Sequence, residues 1–253
     1  MNRAPTPHEE ENQWLLGVVK TMFNEFKGIY GYRRLTMNIN RRHGTQYNHK
    51  RIRRLLIKLG LRSCIRRSNG YCTKTGYQNI EANHLNGAFT ATAPNEKWLT
   101  DVTYLKYGIG QKAYLSAIKD VYDGSIVAYK VRKRNDNPLV MDTLKDAIEM
   151  YPDATPMIHS DRGSQYTSKA FRQITTEAGM TRSMSRLATC TDNAPMESFF
   201  GHFKCECYDL KMYTTFETLE ADIEQYIKFY NHDRFQAKLN SLSPMEFRAQ
   251  AAA

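Results

Sequence analysis

The apolar positions in the amino-terminal part of the chain recur at the spacing of helices. Apolar side chains three or four positions apart predict a first helix over residues 10 to 27. A second helix is predicted over 32 to 42, stopping near Gly44, and a third over 48 to 59, with Asn48 as its cap and Gly60 after its end. Two short helices joined by HGTQY make a helix-turn-helix arrangement, whose second helix commonly lies in the major groove of DNA.

The pattern then changes to alternation. Three strand-like runs occupy residues 97 to 107, 112 to 121 and 125 to 132, and glycines between the runs provide two hairpin turns. The elements predicted after them are a helix over 138 to 150, a strand over 156 to 160, a helix over 169 to 178, a strand over 180 to 185 and a helix over 193 to 208. The predicted order is βββαβαβα, followed by an amphipathic helix over 216 to 231 and a short turn capped by Ser243.

These patterns divide the chain into four segments. Residues 1 to 67 form a basic helical region, and residues 68 to 95, which are weakly periodic and rich in Gly, Asn, Thr and Ala, form a linker. Residues 96 to 210 form an α/β domain, and residues 211 to 253 extend it with helices. A chain of 253 residues is long enough to give such an arrangement a sizeable core.

Charge is unevenly distributed along the chain. The formal net charge is +10, yet residues 26 to 80 contain no Asp or Glu and fourteen Lys or Arg, so the remainder is mildly acidic. A basic segment of this kind is typical of a module that binds the phosphate backbone of nucleic acid. The alternative is a merely solvated helix side, although such surfaces normally mix both signs. The candidate DNA contacts in this region are Arg33, Arg34, Lys50, Arg51, Arg53, Arg54 and Lys58.

The five cysteines include no CxxC pair, so we expect no disulfide framework and a reducing compartment. A zinc site built from His43, His49, Cys64 and Cys72 is the alternative to simple packing roles for these thiols. No apolar run reaches membrane-spanning length, and the amino terminus lacks the order of a signal peptide. The sequence therefore predicts a soluble, cytoplasmic protein with no membrane partner.

Three carboxylates lie where local structure does not explain them. Asp101 interrupts a β-branched and aromatic run, in which Asp is disfavoured. Asp161 follows the carboxyl end of a predicted strand, where acids are well placed to point into a site; a cap or turn role is the alternative. Glu197 lies in the first turns of a predicted helix, with thirty-five residues between it and Asp161. If the three converge, they form a site for hard divalent cations, which take oxygen ligands and can drive phosphoryl transfer.

A basic residue accompanies the third acid. Lys204 lies seven positions after Glu197, two helical turns on and hence on the same helix face, where it could hold a DNA phosphate. The alternative is an ordinary surface pair. Asp192 and Glu206 are rival third acids, ranked lower because Asp192 suits the helix cap and Glu206 points off the face of Glu197.

The ordered motifs of the chain resemble those of a known family. WLTDVTY, HSDRGSQYTS and DNAPMESFFGHFKCE, followed by FYNHDR and LSPMEF, are similar to the integrase-type core of bacterial insertion-sequence transposases. The similarity is to the group made from two overlapping reading frames, with this chain corresponding to the second. YGYRRLTMNINRRHG and KRIRRLLIKLGL resemble the helix-turn-helix segment of that group, so the resemblance covers nearly the whole chain from about Trp14.

The resemblance implies a fold and a site. The fold is an α/β, RNase H-like catalytic core of the retroviral-integrase type with a small N-terminal helix-turn-helix domain. Asp101, Asp161 and Glu197 would form an Asp-Asp-Glu triad that binds Mg²⁺, with Mn²⁺ as a substitute and two ions per site, and Lys204 would contact DNA beside it. The residues implied to support the site or contact DNA are His159, Ser160, Gly163, Gln165, Tyr166, Asn193 and Ser198.

The implied activity is DNA transposition, with metal-dependent cleavage at the ends of a mobile element followed by strand transfer. The implied partners are terminal inverted repeats, target DNA, a first-reading-frame protein or fusion, and further copies of the chain in a dimer or larger assembly at the bacterial nucleoid. MSRLATCTDN departs from the glycine-containing loop expected before the third acid. The chain also begins later than a second frame of this group, which predicts a further DNA-binding or partner-binding segment. The rival functions are a nuclease of the same fold that cuts without joining and a DNA-binding regulator with an inert core.

Overall fold

The computed structural model describes residues 3–64, 82–85, 87–186 and 190–251. The chain divides into two compact units: a helical unit, Met1–Arg67 with Phe235–Ser241, and a core unit, Ser68–Arg234 with Leu242–Ala253. The division falls at the boundary predicted after residue 67. Among the described residues, no helix combines the length and apolar character needed to cross a membrane.

Three helices make up the amino-terminal part of the helical unit: α1 (Pro7–Glu25), α2 (Tyr32–His43) and α3 (His49–Lys58). Each contributes an apolar face to one small core. The fully buried side chains of that core include Leu15, Val19, Leu35, Ile39 and Ile52. The predicted helix-turn-helix pair is therefore supported from behind by α1.

The ends of these helices follow local side-chain chemistry. α1 begins three residues before the predicted start because Thr6 and Glu9 form a capping box, in which Thr6 N donates to a Glu9 carboxylate oxygen at 2.7 Å. α2 ends at Gly44, whose φ of +61° is readily adopted by glycine. Asn48 caps α3 as predicted, its side chain accepting from Lys50 N at 2.8 Å.

The segment Phe235–Ser241 belongs to the helical unit rather than to a continuous extension of the core. Within that unit the Arg41 guanidinium lies 4.3 Å from the centre of the Phe235 ring, and Arg41 Nη1 donates to Ser241 O at 3.3 Å. These contacts correct the prediction that residues 211 to 253 extend the core as one segment. A cation over an aromatic ring is a contact that helical periodicity does not encode.

The core unit follows the predicted order of elements. Its strands are β1 (Lys97–Tyr107), β2 (Gln111–Asp120), β3 (Ile126–Arg132), β4 (Met157–Ser160) and β5 (Thr181–Met184). Its helices are α4 (Asn137–Met150), α5 (Lys169–Glu177), α6 (Ala194–Glu206), α7 (Phe216–His232) and α8 (Pro244–Ala251). Short 3₁₀ turns flank α6, at Cys190–Asn193 and Tyr208–Leu210, and shorten the helix predicted there. The order βββαβαβα is confirmed.

The five strands form one mixed sheet in the order β3-β2-β1-β4-β5. β1, β2 and β3 are antiparallel neighbours, whereas β4 is parallel to both β1 and β5. β1 pairs with β4 only from Lys97 to Leu99. The remainder of β1, including Asp101, therefore continues beyond the end of β4.

Helices cover both faces of the sheet. On one face Leu99, Leu105 and Leu115 pack with residues of α6 and α7 such as Phe199 and Ile223. On the other face a second cluster forms around α4 and α5, and its members include Trp98, Ile118, Leu144, Ala147 and Phe171. Alternate β1 residues thus enter different layers, as a strand between two helical layers requires.

Residues 82–85, within the predicted linker, are part of the core. Leu85 is 1% exposed, and Leu85 N donates to Ser183 Oγ at 3.1 Å. The linker predicted over 68 to 95 is therefore wrong for residues 82–85, because a single apolar residue among polar ones gives no periodic signal. Residues 65 to 81 lie outside the described residues.

The hairpin between β2 and β3 is tied to the last helix. Asp120 and Asp123 each accept a backbone N–H within the turn, from Tyr122 and Ser125, at 2.9 and 2.7 Å. Their other carboxylate oxygens accept from Arg248 Nη1 at 2.9 and 2.7 Å. These two acids therefore anchor α8 as well as shape the turn.

Candidate active site

Asp101 occupies the middle of β1, on the face that packs against α6 and α7. It shares that face with Leu99 and Leu105, and its cross-strand partner is Ala117. Val102 N donates to Asp101 Oδ1 at 2.8 Å, which orients the carboxyl group from its own backbone. The side chain is half-buried beyond the end of β4.

Asp161 follows the last residue of β4 directly. Gly163 N donates to Asp161 Oδ1 at 2.8 Å, so the turn after the strand holds this second carboxylate. A Cβ atom on Gly163 would lie 3.0 Å from that same oxygen, closer than side chains normally approach. Burial raises the pKa of Asp161, and the hydrogen bond from Gly163 opposes the increase. Gly163 is thus a structural requirement for the position of Asp161.

Glu197 lies in the first turn of α6 and is exposed. The sequence allows Thr191 or Asp192 as the cap of this helix, but Asn193 is the N-cap residue and makes no side-chain cap hydrogen bond. Two contacts with the sheet hold this helix start instead. Asn193 Nδ2 donates to Thr100 O at 3.2 Å, and Lys119 Nζ donates to Pro195 O at 3.4 Å. These contacts connect α6 to β1 and β2 close to Asp101.

The charges of Asp161, Glu197 and Lys204 all act on Asp101. The pKa of Asp101 is raised to about 7, mainly by burial and next by the charge of Asp161; Glu197 raises it further, while the Val102 hydrogen bond and the charge of Lys204 oppose the rise. Burial lowers the pKa of Lys204, and Asp209 and Asp101 oppose that change. Asp161, Glu197 and Lys204, which come from two other parts of the fold, are therefore all near enough to Asp101 to change its pKa.

The donor set suits a hard cation in its chemistry. All three side chains offer carboxylate oxygens, the ligands that Mg²⁺ and Mn²⁺ prefer. Asn193, whose Nδ2 donates to the carbonyl of Thr100, has a buried Oδ1 that accepts no hydrogen bond within the described residues. In the described ranges, no three His, Cys, Asp or Glu side chains are grouped closely enough to hold an ion as they stand. These residues therefore suit a divalent cation by the type of their ligand atoms and by their negative charge. The carboxylates would have to move closer together to coordinate it.

A buried polar layer lies under the Asp161 turn. His159 contacts Ser183 Oγ at 2.9 Å through Nδ1 and Ser185 Oγ at 3.1 Å through Nε2. Burial lowers the pKa of His159 to about 4, although the charge of Asp192 opposes the change, so the ring is neutral near pH 7. Ser160 O accepts from Ser185 N at 3.0 Å. These residues position β4 and β5 against each other and lie behind the carboxylates.

The other predicted support residues occupy the turn and the helix beside the triad. Tyr166 is buried, and its hydroxyl lies 3.2 Å from Thr100 Oγ1. Burial is the main cause that raises the pKa of Tyr166, and the charges of Asp101 and Asp161 raise it further. Gln165 Nε2 donates to Asn135 Oδ1 at 2.8 Å. Ser198 is half-buried beside Glu197 on α6.

The rival acids have structural partners instead. Asp192 accepts from Arg186 N at 2.8 Å and from the Arg186 side chain at 2.9 and 3.1 Å. Glu206 pairs with Arg234 at 2.6 and 2.7 Å in a buried contact. Both acids therefore have their charge balanced by an arginine within the fold.

The predicted DNA contacts of the helical unit differ in availability. Lys50, Arg53, Arg54, Lys58 and Arg33 are exposed, whereas Arg34 and Arg51 are half-buried. Arg51 Nη2 donates to Glu11 at 2.7 Å, and the guanidinium lies 5.0 Å from the centre of the Tyr47 ring, so Arg51 joins α3 to α1. The alternative zinc site includes Cys72, which lies outside the described residues.

Comparison with known proteins identifies two kinds of domain. The chain matches the integrase core domain over residues 91–190 and again over 197–251, and an HTH-like domain over 9–69. An uncharacterized transposase-like protein of Haemophilus influenzae is 40% identical over 215 residues, covering 85% of this chain and 99% of that protein. A putative transposase for insertion sequence element IS150 of Escherichia coli is 37% identical over 235 residues, covering 92% of this chain and 82% of that protein.

A structural comparison supports the expected fold. A chain of the simian T-cell lymphotropic virus intasome, solved in complex with PP2A regulatory subunit B56 gamma, superposes with a TM-score of 0.52 at 17% identity, over 91% of this chain and 74% of the viral one. At that identity the likeness concerns the fold alone, which is RNase H-like as the motifs implied. By its domains and its relatives, the chain belongs to the insertion-sequence transposases that carry an integrase core domain.

Proposed function

We propose that the chain is a divalent-metal-dependent DNA transposase that cleaves the ends of its mobile element and joins them to target DNA, with Asp101, Asp161 and Glu197 as the catalytic acids. The observation that carries the proposal is that a chain with an integrase core domain has its three acids on β1, directly after β4 and in the first turn of α6, where Asp161 and Glu197 both raise the pKa of Asp101. A cluster of carboxylates that disfavours its own ionisation is stabilised by a divalent cation. Two Mg²⁺ ions, or Mn²⁺ in their place, are the expected occupants.

Each acid would hold an ion from a different element. Backbone N–H groups orient Asp101 and Asp161 through one oxygen each, and Asn193 and Lys119 set the start of the helix that carries Glu197. When bound, the ions would supply Lewis-acid stabilisation of the attacking and leaving oxygens of a phosphodiester. Lys204, which already acts on Asp101, would hold a neighbouring phosphate.

The helical unit would bind the terminal inverted repeats. Its exposed Lys50, Arg53, Arg54 and Lys58 on α3 are the phosphate contacts that we propose, together with Arg33 on α2. We propose that at least two copies of the chain bind the two ends of an element, and that a first-reading-frame protein is the additional partner at the bacterial nucleoid. The names of the relatives, a transposase-like protein and a putative transposase, support this substrate.

A strand-cleavage assay tests the proposal. Purified protein is mixed with a labelled duplex of its own element's end and Mg²⁺ or Mn²⁺, beside Glu197→Gln and beside Glu220→Gln, a change at an exposed glutamate of α7. Metal-dependent nicking and joining that Glu197→Gln loses and Glu220→Gln keeps is the expected result. Full strand transfer by Glu197→Gln would reject the triad. Cutting without joining would favour the nuclease, and binding without cutting, even with the first-frame protein added, would favour the regulator.

A further inference from the structure

Tyr104 is a large aromatic side chain left in solvent next to the candidate site. It lies on β1, three residues after Asp101, and is 55% exposed. It is on the face of the strand opposite to Asp101, at a point where β1 has already passed the end of β4. No described strand therefore covers that edge of β1 beside Tyr104.

Two lysines from different elements approach the same ring. Lys112 Nζ lies 5.5 Å and Lys204 Nζ 5.7 Å from the centre of the Tyr104 ring. Lys112 is on β2, two residues from the cross-strand partner of Tyr104, and hence on the same face of the sheet. Lys204 comes from α6 and also acts on Asp101. Two ammonium groups repel each other, so their meeting at one exposed ring suits an anionic ligand.

Single exposed aromatic residues are common and need no explanation. What distinguishes Tyr104 is a ring with two cations beside a candidate phosphoryl-transfer site. Proteins that hold single-stranded nucleic acid combine these elements, since bases stack on aromatic rings while cations bind the phosphates. A base inside a duplex has both faces covered by its neighbours, so a ring of this kind fits a base that has left the stack.

We propose that Tyr104, Lys112 and Lys204 form a stacking platform for an unpaired base of the DNA end, with the two lysines on its flanking phosphates. The identity of the DNA rests on the proposed function. Three residues of strand span about 10 Å at ~3.3 Å per residue, and nucleotides of one strand succeed each other every ~3.4 Å. The platform therefore takes a base within about three nucleotides of the reacting phosphate.

Photocrosslinking tests the contact without chemistry. 5-Iodouracil replaces one base at a time along the labelled element end, and each duplex is bound to Glu197→Gln in EDTA and irradiated. The expected result is a crosslink to Tyr104 from one of the three nucleotides nearest the cleaved phosphate, lost when Tyr104→Leu is added. DNA that is bound but crosslinks to Tyr104 from none of these positions overturns the platform.

Cleavage kinetics test whether the base is unpaired. Stacking of a base on an aromatic ring amounts to about 1–3 kcal/mol, or roughly five- to 150-fold, so Tyr104→Leu should cleave a fully paired end at least about fivefold more slowly. Tyr104→Phe restores the ring and should rescue the rate. Ile109→Ala, at a fully exposed apolar residue of the same hairpin, is the matched control and should cleave as the wild type does.

A mismatched pair at the crosslinking position should then raise cleavage by Tyr104→Leu much more than cleavage by the wild type, which already holds the end open. Equal stimulation of the two proteins overturns the platform. The result also separates the two proposals. Crosslinking at Tyr104 by a protein that never cleaves would refute the transposase activity alone, and cleavage without any such crosslink would refute the platform alone.

Discussion

Neutralising the two glutamates of α6 is expected to have opposite effects: the change at Glu206 should reduce stability, and the change at Glu197 should abolish cleavage. Glu206 is 8% exposed and binds Arg234 through both carboxylate oxygens, at 2.6 and 2.7 Å, while the Tyr226 hydroxyl donates to it at 3.0 Å. Burial lowers the pKa of Arg234, but the hydrogen bonds and the charge of Glu206 raise it by more. The pKa of Arg234 therefore lies above its usual value. Glu197, about two and a half helical turns earlier, is exposed.

Glu206→Gln keeps the shape of the side chain and removes its charge, which leaves the buried Arg234 guanidinium without a counterion. Removing one partner of a buried ion pair costs about 3–5 kcal/mol. Exposed substitutions away from special features change stability by only about 0.5 kcal/mol, so Glu197→Gln should unfold almost as the wild type does. The free energy of unfolding thus separates the two changes.

Urea unfolding, followed by both far-UV circular dichroism and tyrosine fluorescence, measures this difference. With a slope of ~3 kcal/mol per molar urea, the expected loss shifts the midpoint of Glu206→Gln by about 1 M or more. Glu206→Leu combined with Arg234→Met should recover much of that loss, because an apolar replacement of a buried pair is often neutral. Strand cleavage, measured where every variant is folded, should survive in Glu206→Gln and disappear in Glu197→Gln.

The reasoning is refuted if Glu206→Gln unfolds at the wild-type midpoint, since the pair would then contribute nothing to the fold. It is refuted equally if folded Glu206→Gln has lost cleavage while Glu197→Gln keeps it. In that case Glu206 would be the third catalytic acid.

Two further predictions concern charge. The Arg186 hydrogen bonds are the main reason that the pKa of Asp192 is lowered, so Asp192 stabilises the fold above the ordinary pKa of Asp, about 3.9, and this contribution is lost as the pH falls through the lowered value. Asp192→Asn should therefore unfold at a lower temperature than the wild type at pH 7, and the difference between the two midpoints should nearly disappear in strong acid. A difference that does not change with pH would contradict the assignment. Arg53→Gln with Arg54→Gln should reduce the slope of the logarithm of the DNA-binding constant against the logarithm of salt concentration by about 1 for each lost phosphate contact. Arg51→Gln breaks the pair with Glu11, so it should lower stability and change this slope less. An equal change of slope in Arg51→Gln would place Arg51 on DNA.

Elements whose cause is local were predicted closely from the sequence. β1 begins and ends at the predicted residues because alternation, aromatic content and the glycine turn after it all act within the strand. α3 has the predicted cap for the same reason. The start of α1 was misplaced by three residues, since the capping box of Thr6 and Glu9 precedes the apolar pattern.

Features that depend on distant partners could not be predicted in this way. The attachment of Phe235 and Ser241 to Arg41 joins residues almost two hundred positions apart. The binding of Arg248 to Asp120 and Asp123 likewise crosses most of the core unit. Composition and periodicity carry no information about which cation meets which acid.

Asp101 and Lys119 show the limit most directly. Each is a polar residue in a mostly apolar strand, and they lie diagonally opposed on the same face of neighbouring strands, because Leu99 pairs with Lys119 and Asp101 with Ala117. Local misfit is a sound signal that such a residue has a partner. It does not tell what the partner is: Lys119 is 5% exposed and finds the Tyr230 hydroxyl at 3.0 Å and a helix carbonyl, whereas Asp101 meets two further acids. The first arrangement satisfies a charge within the fold, whereas the second places acids near one another, and the divalent cations that we propose would balance their charge.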